Sequence, residues 1–326
     1  MRALICDAFG QVEALRPGDL PDPVADAGEV VVAVACAGAG FADALVVEGK
    51  HVARPPFPFV PGSEAAGTVL AIGPGVTRTR PGERVMAFGP RGAFAERMVV
   101  AETGVFPLPA AVPFAAGAAS LVNYGTALHA LADRAAIRPG ETLLVLGAAG
   151  SVGLAAVEIG RLLGARVIAA ASTLEKRALA TAKGADVAID YTGGDFRETL
   201  RTVVPDGIDV VFDPVGGTPG EVVARALRHR GRHLIVGFAS GTSPRLAANL
   251  YLVKQADALG VMWGERRTLA TQGANIARIG GWLASGDLAP VIGATAPLAE
   301  GAGLLRAILD RTIAGKAVIA VDRDRA

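Results

Sequence analysis

Aromatic residues are scarce in this chain. Its 326 residues include 11 Phe, 3 Tyr and 2 Trp, and cysteine occurs only twice, at Cys6 and Cys36. Two cysteines exclude a disulfide framework; both lie in apolar strand-like runs, the setting of buried thiols. An excess of one charge is also missing, since 32 Lys+Arg against 31 Asp+Glu leave +1. With no basic cluster, electrostatic capture of nucleic acid or of an anionic membrane is not expected. Apolar runs stay too short for a membrane-spanning helix, and the opening MRALICDAFG has no signal-peptide pattern. The expectation is a soluble, cytoplasmic protein. What is abundant is core-forming material: 51% of residues are hydrophobic, and the length suggests two domains.

The stretch around which the chain is organised is TLLVLGAAGSVGLAAVEIGRLLGARVIAAAS, residues 142–172. Thr142 to Leu146 has the length of a buried parallel strand. The turn Gly147-Ala148-Ala149-Gly150-Ser151-Val152-Gly153 follows, then an amphipathic helix to about Leu163, then a second apolar strand from Ala165 to Ala170. Strand, glycine turn, helix and strand make the first half of a dinucleotide-binding unit. A pyrophosphate needs backbone N–H groups and the positive end of a helix dipole. A side chain at Gly150 would block its approach, and one at Gly153 would hold the helix off the strand. Ala148 occupies the first position of the strict G-x-G-x-x-G fingerprint, but Gly147 just before it can supply the tight turn.

The end of the second strand selects the cofactor. An NAD site places Asp or Glu there for the ribose 2′-hydroxyl, whereas this chain has Ala171. No carboxylate follows until Glu175, and Ser172, Lys176 and Arg177 are offered instead. Cations with a hydroxyl suit a 2′-phosphate, so NADPH is expected over NADH. The alternative is that Lys176 and Arg177 only solvate a helix face.

Before this unit, residues 1–110 read as β-rich. Strands are expected at Met1–Cys6, Glu29–Ala37 and Gly62–Ile72, a turn and strand over Arg80–Met86 and a strand at Gly92–Val100, with Gly/Pro corners, which suggests a partly open barrel. From Pro113 an alanine-rich helical segment leads to the glycine turn. After it strands and helices alternate: strand Ala185–Asp190, helix Phe196–Val203, strand Asp209–Phe212, helix Gly220–Arg228 and strand His233–Gly237, the rhythm of a parallel sheet. Asp213-Pro214-Val215-Gly216-Gly217 and Gly237-Phe238 fall at carboxyl ends of strands, where such sheets bind ligands. The tail reads helix Ala274–Ala284, strand Val291–Ala296, helix Leu298–Arg311 and strand Ala317–Val321.

The motifs PFVPGSEAAGTVLAIGPGV, NYGTALHAL, RPGETLLVLGAAGSVGLAAVEIG, GADVAIDY, DVVFDPVGG, LIVGFASG and GKAVIAV follow one another across nearly the whole chain. In order and spacing they resemble the zinc-independent quinone oxidoreductases of the medium-chain dehydrogenase/reductase superfamily. The resemblance implies an α/β protein: a GroES-like, partly open β-barrel catalytic domain (1–120, completed by 260–326) and a Rossmann doubly wound parallel sheet (121–259) that binds NADPH. It also implies a homodimer or tetramer built through the Rossmann sheets. Position by position, Ser172, Lys176 and Tyr191 match the group that holds the 2′-phosphate. Thr126 matches a residue near the nicotinamide, and Gly237, Phe238 and Ala239 match the loop over its end.

Zinc alcohol dehydrogenases share this fold, and the positions matching their catalytic ligands here are Gly40 and Ser63, neither suited to zinc. Nothing in the spacing of Cys36, His51 and Glu64 supports another metal site. Without a Lewis acid to polarise an alcohol, the expected substrate is an electron-poor acceptor, a quinone or an α,β-unsaturated carbonyl. The sequence also departs from its relatives. Gly40, in the expected loop AGAGFAD, replaces their usual Asn, which widens the pocket, and Phe41 replaces a tyrosine of enoyl reductases and cannot donate a proton. His51 stands where many relatives have Tyr; it either delivers a proton or only shapes the pocket mouth. Asn123 and Tyr124 at the domain junction are candidates to line the substrate cleft, as is Trp263; core packing is the alternative for Tyr124 and Trp263. His129, His229 and His233 read as structural. Two other functions stay open: a 2-enoyl thioester or 2-alkenal reductase, and a non-catalytic NADPH-binding protein.

Overall fold

The computed structural model describes residues 1–264 and 271–322. The remainder of the expected C-terminal part of the first domain, 265–270 and 323–326, lies outside the described residues. The chain divides into two compact units, Met1–Val122 with Gly264–Ala326, and Asn123–Trp263.

In chain order, β1 (Arg2–Ile5) and β2 (Arg16–Asp19) pair antiparallel. Then come β3 (Glu29–Ala39), α1 (Phe41–Val47), β4 (Glu64–Ile72), β5 (Arg84–Phe88), β6 (Arg97–Ala101) and β7 (Val105–Pro107). Short α2 (Phe114–Ala118) and α3 (Leu121–Leu128) follow, and α3 widens into a π-helical turn over His129–Arg134. The next elements are β8 (Thr142–Leu146), α4 (Ser151–Leu162), β9 (Arg166–Ala170), α5 (Leu174–Ala182), β10 (Val187–Ile189), α6 (Phe196–Val203), β11 (Ile208–Asp213), α7 (Gly217–Ala226), β12 (Leu227–Ile235), α8 (Ala248–Lys254) and β13 (Asp257–Gly260). The tail carries α9 (Gly273–Ser285), β14 (Ile292–Pro297), α10 (Gly301–Leu309) and β15 (Lys316–Ala320).

In the first unit β3 is the hub. Its valine-rich half pairs with β6, its Cys36–Ala39 half pairs with β15, and its other edge runs along β4. β-Branched residues suit such a doubly covered strand, and Val30, Val32 and Val34 enter one core cluster with Phe94, Met98 and Ile319. The sheet order β14-β15-β3-β4-β5-β7 joins no end to the other. Among the described residues the sheet is therefore open, with no closed barrel. Close approach is enforced at Gly67 in β4, where a Cβ would run into the Ala33 carbonyl oxygen.

Three local expectations are corrected. The run Gly92–Val100 is not one strand: Gly92 has φ +103°, and Gly92, Ala93 and Phe94 fold back to donate to the carbonyls of Val60, Gly62 and Pro61. The β-strand begins only at Arg97. AGAGFAD is not a loop; Gly40 caps α1, whose Asp43 carboxylate accepts the Gly40 N–H at 2.9 Å. The helix expected over Leu298–Arg311 is a 3-10 turn followed by α10.

In the second unit all five neighbouring pairs of strands are parallel, in the order β10-β9-β8-β11-β12-β13. The strand order reverses between β8 and β11, and doubly wound sheets bind ligands outside the carboxyl ends at that point. β8 is buried along its whole length, as is β11. The short α8 and the edge strand β13 leave no mark in the sequence pattern: α8 buries no residue and β13 has only four residues, too little periodicity for a sequence signal. Among the described residues no helix is long and apolar enough to cross a membrane.

Gly67→Ala is expected to lower unfolding free energy by about 2–3 kcal/mol, because the β3–β4 ladder must open to admit the methyl. Urea denaturation reads this; an unchanged midpoint would mean that the two strands approach less closely.

Candidate functional site

The glycine turn stands at the end of β8. Gly147 has φ +58°, the left-handed region that favours glycine. Its carbonyl accepts from Gly150 N–H at 2.9 Å. A Cβ on Gly153 would overlap the same Gly147 carbonyl oxygen and press to 2.9 Å from Ala148 Cα. This close packing brings α4 directly onto the end of β8. No side chain caps α4 at Gly150, so the first amides of the helix, at Ser151, Val152 and Gly153, carry the positive end of the dipole without a side-chain acceptor. Ala149 is buried and Gly150 exposed. The arrangement fits the pyrophosphate of a dinucleotide.

At the end of β9, Ala171 is buried, Ser172 is half-buried, and Thr173 caps α5 by accepting from Lys176 N–H at 3.2 Å. Lys176 thus stands in the first turn of that helix. Arg177 does not stand beside it as a second phosphate ligand. Its guanidinium donates to Asp190 Oδ2 at 2.8 Å and to the Ala171 carbonyl at 3.2 Å. Asp190 also accepts from the amides of Thr192 and Gly193 and from the Thr192 hydroxyl. Thr192 above all, with Arg177 adding to it, holds this carboxyl at about 2. Tyr191, the next residue, is half-buried and edge-on to Phe196.

Across the switch point, a Cβ on Gly147 would lie 2.9 Å from Val215 Cγ2. The turn 213–217 and the loop 236–242 are laced together. Val236 and Gly237 N–H donate to the Asp213 carbonyl, Ala239 N–H to Pro214, Ser240 N–H to Val215, and Gly217 N–H to Thr242. Phe238 is left 45% exposed at the crest of this loop. Thr126 is half-buried on α3. Asn123, Tyr124 and Trp263 are buried. Tyr124 gives its hydroxyl to buried Glu158, which places it in the core rather than on a pocket wall. The Trp263 indole lies against Gly125, 2.6 Å from where a Cβ would be, again an interior position.

In the first unit a buried charge cluster lies behind Gly40. Lys316 pairs with Glu64 Oε1, and Glu64 Oε2 accepts from Val122 N–H at 2.9 Å. Asp43 is close to both, and burial raises its pKa to about 6, against the pull of Lys316 and the Gly40 N–H. A Cβ at Gly40 would lie 3.6 Å from Lys316 Nζ and 3.5 Å from Asp43 Oδ2. Losing Lys316 would strand a buried carboxylate, a loss of about 3–5 kcal/mol. Phe41, the first residue of α1, is half-buried. His51 accepts from Ala53 N–H at Nδ1, 3.1 Å away, and partial burial holds its pKa below the ordinary value of 6.5.

Residues 26–110 match the alcohol dehydrogenase GroES-like domain, and residues 151–278 match the domain described as zinc-binding dehydrogenase. A quinone oxidoreductase-like protein 2 from Bos taurus is 39% identical over 241 residues, 73% of this chain and 69% of its own. The chain belongs to the zinc-independent quinone oxidoreductase family of the medium-chain dehydrogenase/reductase superfamily. This family membership makes it an oxidoreductase. Two solved structures of the superfamily are close in fold. A mycobacterial protein solved with NADPH has TM-score 0.92 at 29% identity, covering 98% of this chain and 100% of its own. The Escherichia coli quinone oxidoreductase, also solved with NADPH, has TM-score 0.90 at 25% identity, covering 98% and 100%.

Within that family two features escaped the sequence. Lys316 lies in the closing GKAVIAV motif but is 252 residues from its partner Glu64, and no local pattern announces such a pair. Asp213 was visible only as part of a strand-end turn, with no sign that its carboxylate anchors two amides. Both cysteines are buried, and burial pushes the Cys36 thiol to about 11, so neither is a ready thiolate nucleophile. Among the described residues no group of three or more His, Cys, Asp or Glu is placed to hold a metal ion.

The glycine geometry separates two conservative changes. Gly153→Ala should lower stability by about 1–3 kcal/mol through overpacking. Gly150→Ala, whose Cβ would meet only the Gly147 carbonyl oxygen at 3.3 Å, should cost less than about 1 kcal/mol. Thermal unfolding of both variants decides, and equal losses would refute the turn geometry. For His51, long-range nitrogen NMR should show the Nε2–H tautomer titrating below 6.5. Protonation is disfavoured in the folded state, so this residue's contribution to stability falls as pH drops below 6.5. A titration above 6.5 would contradict this environment.

Proposed function

We propose that this protein is a metal-independent, NADPH-dependent reductase that delivers hydride to a quinone or an α,β-unsaturated carbonyl. The observation that carries this reading is the uncapped N-terminus of α4, brought by the Gly147–Gly153 turn to the carboxyl end of β8 at the switch point. Bound there, NADPH supplies the hydride. The amides of Ser151, Val152 and Gly153 hold the pyrophosphate. Ser172, Lys176 and Tyr191 form the 2′-phosphate side, where Ala171 leaves out the carboxylate that would select NADH. Thr126 and the loop Gly237–Ala239 face the nicotinamide end and keep water from it.

On the acceptor side we place Gly40 and Phe41. Gly40 adds no side chain, and Phe41 adds an apolar ring with no proton to give, which favours an acceptor whose reduced oxygen takes its proton from solvent. His51, with Nδ1 occupied and its pKa lowered, shapes this region rather than acting as its acid. The NADPH-bound relatives support the cofactor, and the quinone oxidoreductase names of several relatives support the acceptor class.

The protein works as a homodimer in the cytoplasm in this reading. Among the described residues β13 pairs with β12 alone, and Leu252 and Val253 on the neighbouring α8 are 78% and 79% exposed. An open sheet edge beside two exposed apolar side chains is suited to a second copy of the same chain.

The test is an acceptor panel with both coenzymes. NADPH with 1,4-naphthoquinone is expected to be the productive pair, favoured over NADH by more than about tenfold, with crotonyl-CoA turned over poorly. Lys176→Ala should remove most of that preference by weakening NADPH alone. Preference for NADH, or NADPH binding without consumption by any acceptor, would overturn the proposal.

A further inference from the structure

Beside the two laced loops lies a chain of three polar side chains, two of them buried and the third, Tyr251, half-buried. Asp213 is 1% exposed and His233 is fully buried. Asp213 Oδ1 accepts from Val215 N–H at 2.9 Å and Gly216 N–H at 2.7 Å. Its other oxygen, Oδ2, lies 3.1 Å from His233 Nε2, and His233 Nδ1 lies 2.7 Å from the Tyr251 hydroxyl. The main-chain carbonyl of the same aspartate takes the N–H groups of Val236 and Gly237. One residue therefore ties down both segments.

The direction of the chain follows from its acceptor. The Asp213 carboxylate can only accept, from His233 Nε2–H, and the Nδ1 of that tautomer accepts from the tyrosine hydroxyl. Burial first, and the Asp213 charge second, push Tyr251 to about 12, so its proton stays in place. The Asp213 carboxylate accepts three N–H groups, the condition under which burial of such a group is tolerated.

The segment held this way reaches the glycine turn. Val215 follows two residues after the carboxylate, and its methyl packs where a Gly147 side chain would be. Gly216 and Gly217 have φ +68° and +55°, a region that favours glycine, and the Gly216 amide is one of the two that the carboxylate holds. We propose that Asp213, His233 and Tyr251 act as a relay of positioning residues: Tyr251 on α8 and His233 on β12 fix the Asp213 carboxylate, which sets the 213–217 turn and the 236–242 loop for binding the coenzyme. None of the three needs to touch the coenzyme, and loss of the tyrosine hydroxyl alone should be felt there. This inference rests on NADPH occupying the glycine-turn site.

Tyr251→Phe removes one hydroxyl and keeps the ring. His233→Gln keeps an amide N–H in reach of Asp213, and His233→Leu does not. We expect Tyr251→Phe to raise the Kd for NADPH, read by nicotinamide fluorescence, by about three- to tenfold, the worth of one hydrogen bond. His233→Leu should raise it further and His233→Gln should recover part of the loss. The KM for naphthoquinone should stay unchanged. Without coenzyme, hydrogen exchange at the Val215 and Gly216 amides should accelerate in Tyr251→Phe while the β8 amides stay protected. Wild-type Kd together with wild-type exchange at Val215 and Gly216 in Tyr251→Phe would overturn the relay, as would an effect on quinone KM alone. If the wild-type protein does not bind NADPH, the functional reading fails, and the exchange rates still decide whether the relay sets the turn.

Discussion

The closeness of the backbone at Gly147 and Gly153 is the constraint on which the second unit depends. Only with no side chain at position 153 can α4 start against the Gly147 carbonyl oxygen. That start aims the first amides of α4 past the end of β8, and a helix held a few ångströms farther out would point its dipole elsewhere. The same tightness brings Gly147 against Val215 and joins the turn after β8 to the turn after β11 across the strand-order reversal. The site is thus built from backbone, and side chains serve mainly to hold that backbone still.

This explains which parts could be read from the sequence. The glycine turn announces itself because its requirement is local: an apolar run, three glycines and an amphipathic helix within about thirty residues. The alternation after it fixes a parallel sheet for the same reason. What escaped depends on contacts between distant residues. Arg177 looks like a ligand for a phosphate, yet Asp190, thirteen residues on, holds it. The strand expected across Gly92–Val100 yields to Phe94, which turns inward and is fully buried. A short helix hides in AGAGFAD because its cap is a glycine and the stabilising carboxylate, Asp43, sits inside the helix.

The two units bury carboxylates in contrasting ways. Glu64 is neutralised by a full cation, Lys316, with one amide on its other oxygen. Asp213 is held not by an ammonium but by two amides and an imidazole. The first solution resists change, since removing either partner strands a charge in the interior. The second can be adjusted one hydrogen bond at a time, and it lies under loops that must fit around a ligand.

Lys316 also bears on redesign of this scaffold. Gly40 stands at a position that matches a catalytic zinc ligand of the zinc alcohol dehydrogenases, so a cysteine grafted there is an obvious first step toward a metalloenzyme. Its Cβ would come within 3.6 Å of the Lys316 ammonium. A divalent ion arriving at that sulfur would meet a positive charge already paired with Glu64. Converting the scaffold therefore begins with taking the lysine out, and only then with adding ligands.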